Sequence, residues 1–322
     1  MTGRRSPRSD ATDFVFPRCQ AIPQLERASL RIDGREVVGY EFEPGKPRPC
    51  FVPVLGPSGR ELTRIGHPNP VGHEHHRSVW FGHQFVDDIN FWGEVSNTDI
   101  QVRHKRVLWY EDGPEWAAFA AEIDWYADGK NRLSQFLIAA VEPSSTWEGC
   151  YALDLQSRFT SPDGRPVELG KTNFGFLGVR LAKSISEQFG GGRLTGSEGG
   201  IGEDAIFETR NRWVDYSGPV APGVFEGITY FDHPDNPRHP SHWHVRRDGW
   251  MEAAFSHPEA YGVAVEHPLD LRYRLFIHGV SANFEVFPDL DQPWQEFAET
   301  PPYEYIARDE TGFPSIRRRA QS

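Results

Sequence analysis

Along residues 21–310, apolar and polar positions alternate with a period of two. No stretch of more than about a dozen residues repeats at the i, i+3, i+4, i+7 spacing of an amphipathic helix. ASLRID and GREVVGYEF alternate on either side of Asp33-Gly34, a dipeptide that accepts the positive φ of a tight turn, so they read as a hairpin. Residues 50–55 read as a short apolar strand. DIQVRHKRVLWYE, EWAAFAAEIDWYA and NRLSQFLIAAVEP form a three-strand meander broken at Asp112-Gly113 and Asp128-Gly129. CYALDLQSRFT, RNRWVDYSG and LRYRLFIHGV, the last carrying His278, are further strands, and residues 291–308 read as a short helix and a closing segment. The chain holds five Asp-Gly pairs, as repeated hairpins require, and shows no repeat of fixed period. The fold class expected is all-β: a large antiparallel two-sheet β-sandwich. Residues 1–20 and 311–322 are expected to be a disordered lead-in and a basic tail around a single domain at 21–310.

Composition narrows the partners. With 322 residues and a formal net charge of −12, the chain can bury a sizeable core and lacks the basic footprint of a nucleic-acid binder. Cys19, Cys50 and Cys150 form no C-x-x-C and are odd in number, so neither a disulfide framework nor a cysteine zinc site is expected. No apolar segment follows Arg4-Arg5 and no run of about 18 apolar residues occurs, so a cytoplasmic protein without membrane spans is expected.

Candidate chemistry concentrates in residues 66–92, GHPNPVGHEHHRSVWFGHQFVDDINFW, where five of the thirteen histidines fall between His67 and His83. The prolines and glycines there argue for a loop. Imidazole trades protons near neutral pH and ligates metals. His76 and His83 are the candidate acid/base pair, with Arg77 to hold an oxygen and His73, Trp80 and Trp92 to contact a ligand. HEHH also places His73 and His75 on one face if extended, an arrangement open to a divalent metal, although the spacing is not that of a zinc-protease helix. A second cluster, His233 to His244, includes His242 and His244 at i, i+2, which share a strand face. His244 with Trp243 is expected to reach the pocket, Asn173 to contact the ligand, and Glu198, on a glycine-flanked loop, to supply a carboxyl. The glycine-rich stretch around Gly190 reads as a mobile loop at the pocket rim.

LGPSGRELTR, HEHHRSVWFGHQFVDDINFW, RLTGSEGGIGE with RWVDYSG, and FDHPDNPRHPSHWHVR together resemble the signature segments of a bacterial family labelled "methane oxygenase PmoA". The membrane subunit behind that label spans a bilayer, which no segment here can do. The resemblance implies a sandwich of the supersandwich kind, similar in gross features to sugar mutarotases, and a place in carbohydrate catabolism. Where many members carry Pro inside HxHH, this chain has Glu74.

Three functions follow as expectations. The first is a carbohydrate-active hydrolase, lyase or isomerase that acts on a sugar or oxidised sugar derivative by histidine acid/base chemistry. The second is a non-catalytic carbohydrate-binding sandwich. The third is a metal-dependent oxygenase or lyase. The sequence leaves the oligomeric state open.

Overall fold

The alternating segments pair as antiparallel strands, and the computed structural model describes residues 16–66, 73–93 and 99–320. In chain order the first strands are β1 (Cys19–Gln24), β2 (Arg27–Ile32), β3 (Arg35–Glu41), β4 (Cys50–Val54) and β5 (Val79–His83). Then come β6 (Gln101–Glu111), β7 (Ala117–Ala127), β8 (Lys130–Pro143), β9 (Tyr151–Thr160), β10 (Val167–Leu169) and β11 (Gly175–Arg180). β12 (Arg193–Gly196), β13 (Trp213–Ala221), β14 (Val224–Asp232), β15 (His242–Arg246) and β16 (Trp250–Ala254) follow. The last are β17 (Tyr261–Val263), β18 (Leu269–Val280), β19 (Tyr303–Ile306) and β20 (Ser315–Arg318). The first eight-stranded sheet runs β1-β2-β3-β4-β5-β11-β16-β15, and the second runs β12-β13-β14-β18-β9-β8-β7-β6.

These two sheets enclose one core, to which Leu30, Phe51, Leu177, Trp243 and Met251 come from the first and Phe119, Leu153, Tyr216, Tyr230 and Leu275 from the second. Burial of this apolar surface is the main stabilising term. The all-β, two-sheet expectation holds.

The outer faces are also covered, which explains why several strands are apolar without a break. In β7, Ala117, Phe119 and Ala121 face the central core, whereas Ala118 and Ala120 pack under Tyr303 and Ile316 of the β19–β20 hairpin. A helix, Asp291–Glu299, lays Phe297 over Trp213, Phe231 and Phe276 on the same sheet. The outer face of the first sheet carries a third cluster, Cys50, Trp80, Trp92 and Trp250, with Phe174 packed against it.

Three local expectations change. Residues 66–92 are not all loop, because Val79–His83 forms β5, inside the first sheet between β4 and β11. The glycine-rich segment contains a helical turn, Glu187–Gly190, and β12. The basic C-terminal residues are not a solvated tail: β20 pairs with β19, and Arg318 reaches Glu142 at 2.6 Å.

Candidate functional site

Strand register assembles the site. Trp80 on β5, Gly178 on β11, Glu252 on β16 and His244 on β15 are successive cross-strand partners, so their side chains rise from one face of the first sheet. Gly178 makes the row possible, because a Cβ there would collide with the ring of Trp250. The loop before β5 folds back over this face. His76 stacks on Trp250 with centroids 5.0 Å apart and lies 5.8 Å from Trp80. His75 stands edge-on to His76 at 4.5 Å and to Trp92 at 6.0 Å. Phe174 spans the remaining side, 5.5 Å from Trp92 and 4.9 Å from His244. Histidines from the two distant sequence clusters therefore meet across one aromatic wall.

Burial sets the protonation of these groups. Burial, helped by the positive charge of Arg180, pushes His76 down to about 2. Burial and Arg48 push His75 down to about 4, and burial and Arg246 push His244 to about 4. All three are neutral at pH 7. The ring orientation of His244 follows from its partner: a carbonyl only accepts, so Nδ1–H donates to the Asn173 carbonyl at 3.0 Å and Nε2 keeps its lone pair. Burial raises the Glu252 carboxyl well above its usual range, which favours its protonated form. One of its oxygens accepts from the Gly175 N–H, and the other, like the indole N–H of Trp80 and of Trp250, is buried without a hydrogen-bond partner among the described residues. Arg180, fully buried beside Trp250 in the register, is clamped by both oxygens of Asp248 at 2.8 and 3.0 Å.

The residues singled out in the sequence divide between this face and elsewhere. His75, His76, His244, Trp80 and Trp92 belong to the wall, and Asn173 contributes its backbone carbonyl. His73 is exposed at the edge, its Nδ1 3.5 Å from His76 Nε2. Arg77 is half-buried and bridges to Ile65 through its backbone, whereas the guanidiniums of Arg48, Arg180 and Arg246 bear on the imidazoles.

His83 is sealed inside. Its Nδ1 accepts from the Phe85 N–H at 3.1 Å and its Nε2–H donates to Ser256 Oγ at 2.8 Å, so both nitrogens are used in holding the chain. Trp243 follows strand alternation to the opposite face from His244, packs in the core, and donates its indole N–H to the Asn211 carbonyl. Glu198 is exposed, with contacts to Ser197 and Arg212. Among the described residues, no group of three or more His, Cys, Asp or Glu side chains could hold a metal ion, and His67 lies outside them.

The second motif, FDHPDNPRHPS, is largely structural. Fully buried Asp232 accepts from the Asn236 amide at 2.7 Å and the Ser241 N–H at 2.9 Å, and pairs with His239 at 3.0 Å, winding the loop that leads into β15. Glu252, Trp250 and Arg180 escaped the sequence reading. The available signal was a lone carboxyl in the apolar run WMEAAF, since a charged side chain in a buried strand calls for a reason.

A family model matches residues 27–286, and the chain belongs to that family, described as "Family of unknown function (DUF6807)". The methane-oxygenase label suggested by the motifs is not the description this model carries. No curated protein matches the chain. The crystal structure of a GalM/aldose epimerase homologue from C. elegans aligns over 82% of this chain and 99% of that one, at 9% identity and a TM-score of 0.32, too low to bear on function. Among the described residues no helix is long and apolar enough to cross a membrane.

Proposed function

We propose that this chain binds a sugar or an oxidised sugar derivative on the outer face of the first sheet and acts on it by histidine-based acid/base chemistry. The observation that carries this reading is a set of buried polar atoms in an aromatic wall that have no partner among the described residues: the indole N–H groups of Trp80 and Trp250 and one oxygen of Glu252, beside His244. Buried polar groups are nearly always paired, so a cluster of exceptions suits a polyhydroxylated ligand that offers both acceptors and donors. Aromatic faces suit the apolar side of a sugar ring.

The test is ligand-observed NMR and calorimetry with aldoses, ketoses, disaccharides and 3-keto glycosides. Binding of at least one class is expected, weakened at least about 10-fold in Trp250→Ala, in the range of an interface hot spot. A panel in which nothing binds, or in which Trp250→Ala binds as the parent does, refutes the reading.

A further inference from the structure

We propose that Glu252 and His244 act as proton donor and proton acceptor on a carbonyl-bearing sugar, so that the reaction at this face is isomerisation through an enediol and not glycoside hydrolysis. This rests on the sugar reading above and adds the reaction class. The two residues are Cα partners on adjacent strands. Their Cβ atoms are therefore about 4.5–5.5 Å apart on one face.

Each has one function left. His244 Nδ1–H is committed to the Asn173 carbonyl, which leaves the Nε2 lone pair as a base. One Glu252 oxygen is tied to the Gly175 N–H, the other has no hydrogen-bond partner among the described residues, and burial favours the protonated carboxyl, which can give a proton. Among the described residues the other buried acids are already engaged, Asp154 by Arg274, Glu226 by Ser58, Asp232 by its loop, and Asp215 by His278, Ser217 and Thr229, and the half-buried Asp248 is held by Arg180. Two-carboxyl hydrolysis needs a second, ionised carboxylate across the scissile bond. The Asp248 carboxylate, whose charge reaches His244, is clamped through both oxygens.

In the forward step His244 Nε2 takes the proton from the carbon next to the carbonyl. The C–H electron pair becomes the C=C of the enediol, and the carbonyl oxygen takes the proton of Glu252. In the return step the neighbouring hydroxyl gives its proton back to Glu252, and His244 delivers its proton to the former carbonyl carbon. No oxidant or co-reactant is needed. Phe174, the half-buried ring of the cluster, lies one residue from Gly175, whose N–H holds the carboxyl.

The test uses the full chain in D2O with the same sugars, followed by proton NMR for loss of the signal next to the carbonyl. The parent protein is expected to catalyse exchange. Glu252→Gln is expected to slow it at least about 100-fold, the usual scale of general acid–base catalysis. His244→Asn, whose amide can still donate to the Asn173 carbonyl, is expected to lose exchange to the same degree, and it decides the matter if Glu252→Gln does not fold by circular dichroism. Binding without exchange, release of free sugar from a glycoside, or unchanged exchange in a folded variant overturns the proposal while leaving sugar binding intact. Absence of binding overturns both.

Discussion

His76, His83 and His244 share a physical condition, burial that favours the neutral imidazole, yet they differ in what their nitrogens do. His83 spends both on Phe85 and Ser256, and His244 spends one on Asn173. The same burial makes stability depend on pH. Their folded values, about 2, 3 and 4, lie below the ordinary imidazole value of about 6.5, so on acidification the unfolded chain binds protons that the folded chain refuses. The stabilisation is complete above about pH 6.5 and declines as pH falls, by up to about 1.4 kcal/mol per pH unit for each histidine, down to the folded value of each. Urea unfolding at pH 7 and pH 5 is expected to show a marked loss at pH 5, and His83→Gln a shallower dependence than the parent. Parallel pH profiles for the two proteins would contradict the assignment of His83 as a sealed neutral group.

At the scale of elements, β11 and the loop before β15 set the site. Gly178 leaves the space that the Trp250 ring fills, so Gly178→Val is expected to displace the indole and cost about 1–3 kcal/mol, as overpacking usually does. Loss of ligand binding together with altered tryptophan fluorescence checks it, and unchanged binding would show that Trp250 does not form the wall. Asp232 is fully buried and holds His239, Asn236 and Ser241. Asp232→Ala leaves those partners unmatched and is expected to cost about 2–4 kcal/mol. The denaturation midpoint should fall accordingly, and hydrogen exchange should rise first in the 232–246 segment. A purely global loosening would argue against a local role for the motif. The β2–β3 hairpin, the β6–β9 meander and the late β18 strand were legible from alternation and Asp-Gly turns. β5 was not, because the prolines, glycines and histidines around it carry the composition of a loop.

For the whole molecule, the C-terminal strand ties the second sheet together. Arg274 pairs with Asp154 at 2.6 Å, and Arg318 reaches both Glu142 and Asp154. Burial works against ionisation of Asp154, but Arg274 and Arg318 hold it below the usual carboxylate range. Ending the chain at residue 310 removes Arg318 and the strand that covers Ala118, Ala120 and Ile138. A loss of about 2–5 kcal/mol, the scale of removing one buried aliphatic side chain such as Ile316, is expected from denaturant unfolding, and a truncated chain as stable as the parent would refute the role of β20.

What the sequence determined by itself is the local content of this protein: period-two strands, tight Asp-Gly turns, an acidic composition, and two histidine-rich segments. What only the tertiary structure decided is which side chains share a face. Both faces of several strands are buried, so apolar content cannot say which side meets the central core, and a one-residue step sent Trp243 inward and His244 outward. The site row also crosses β5, β11, β16 and β15, strands far apart in the chain, and such pairing depends on long-range register that no local pattern encodes. For that reason Glu252, Trp250 and Arg180 join the histidines in space without announcing it in sequence.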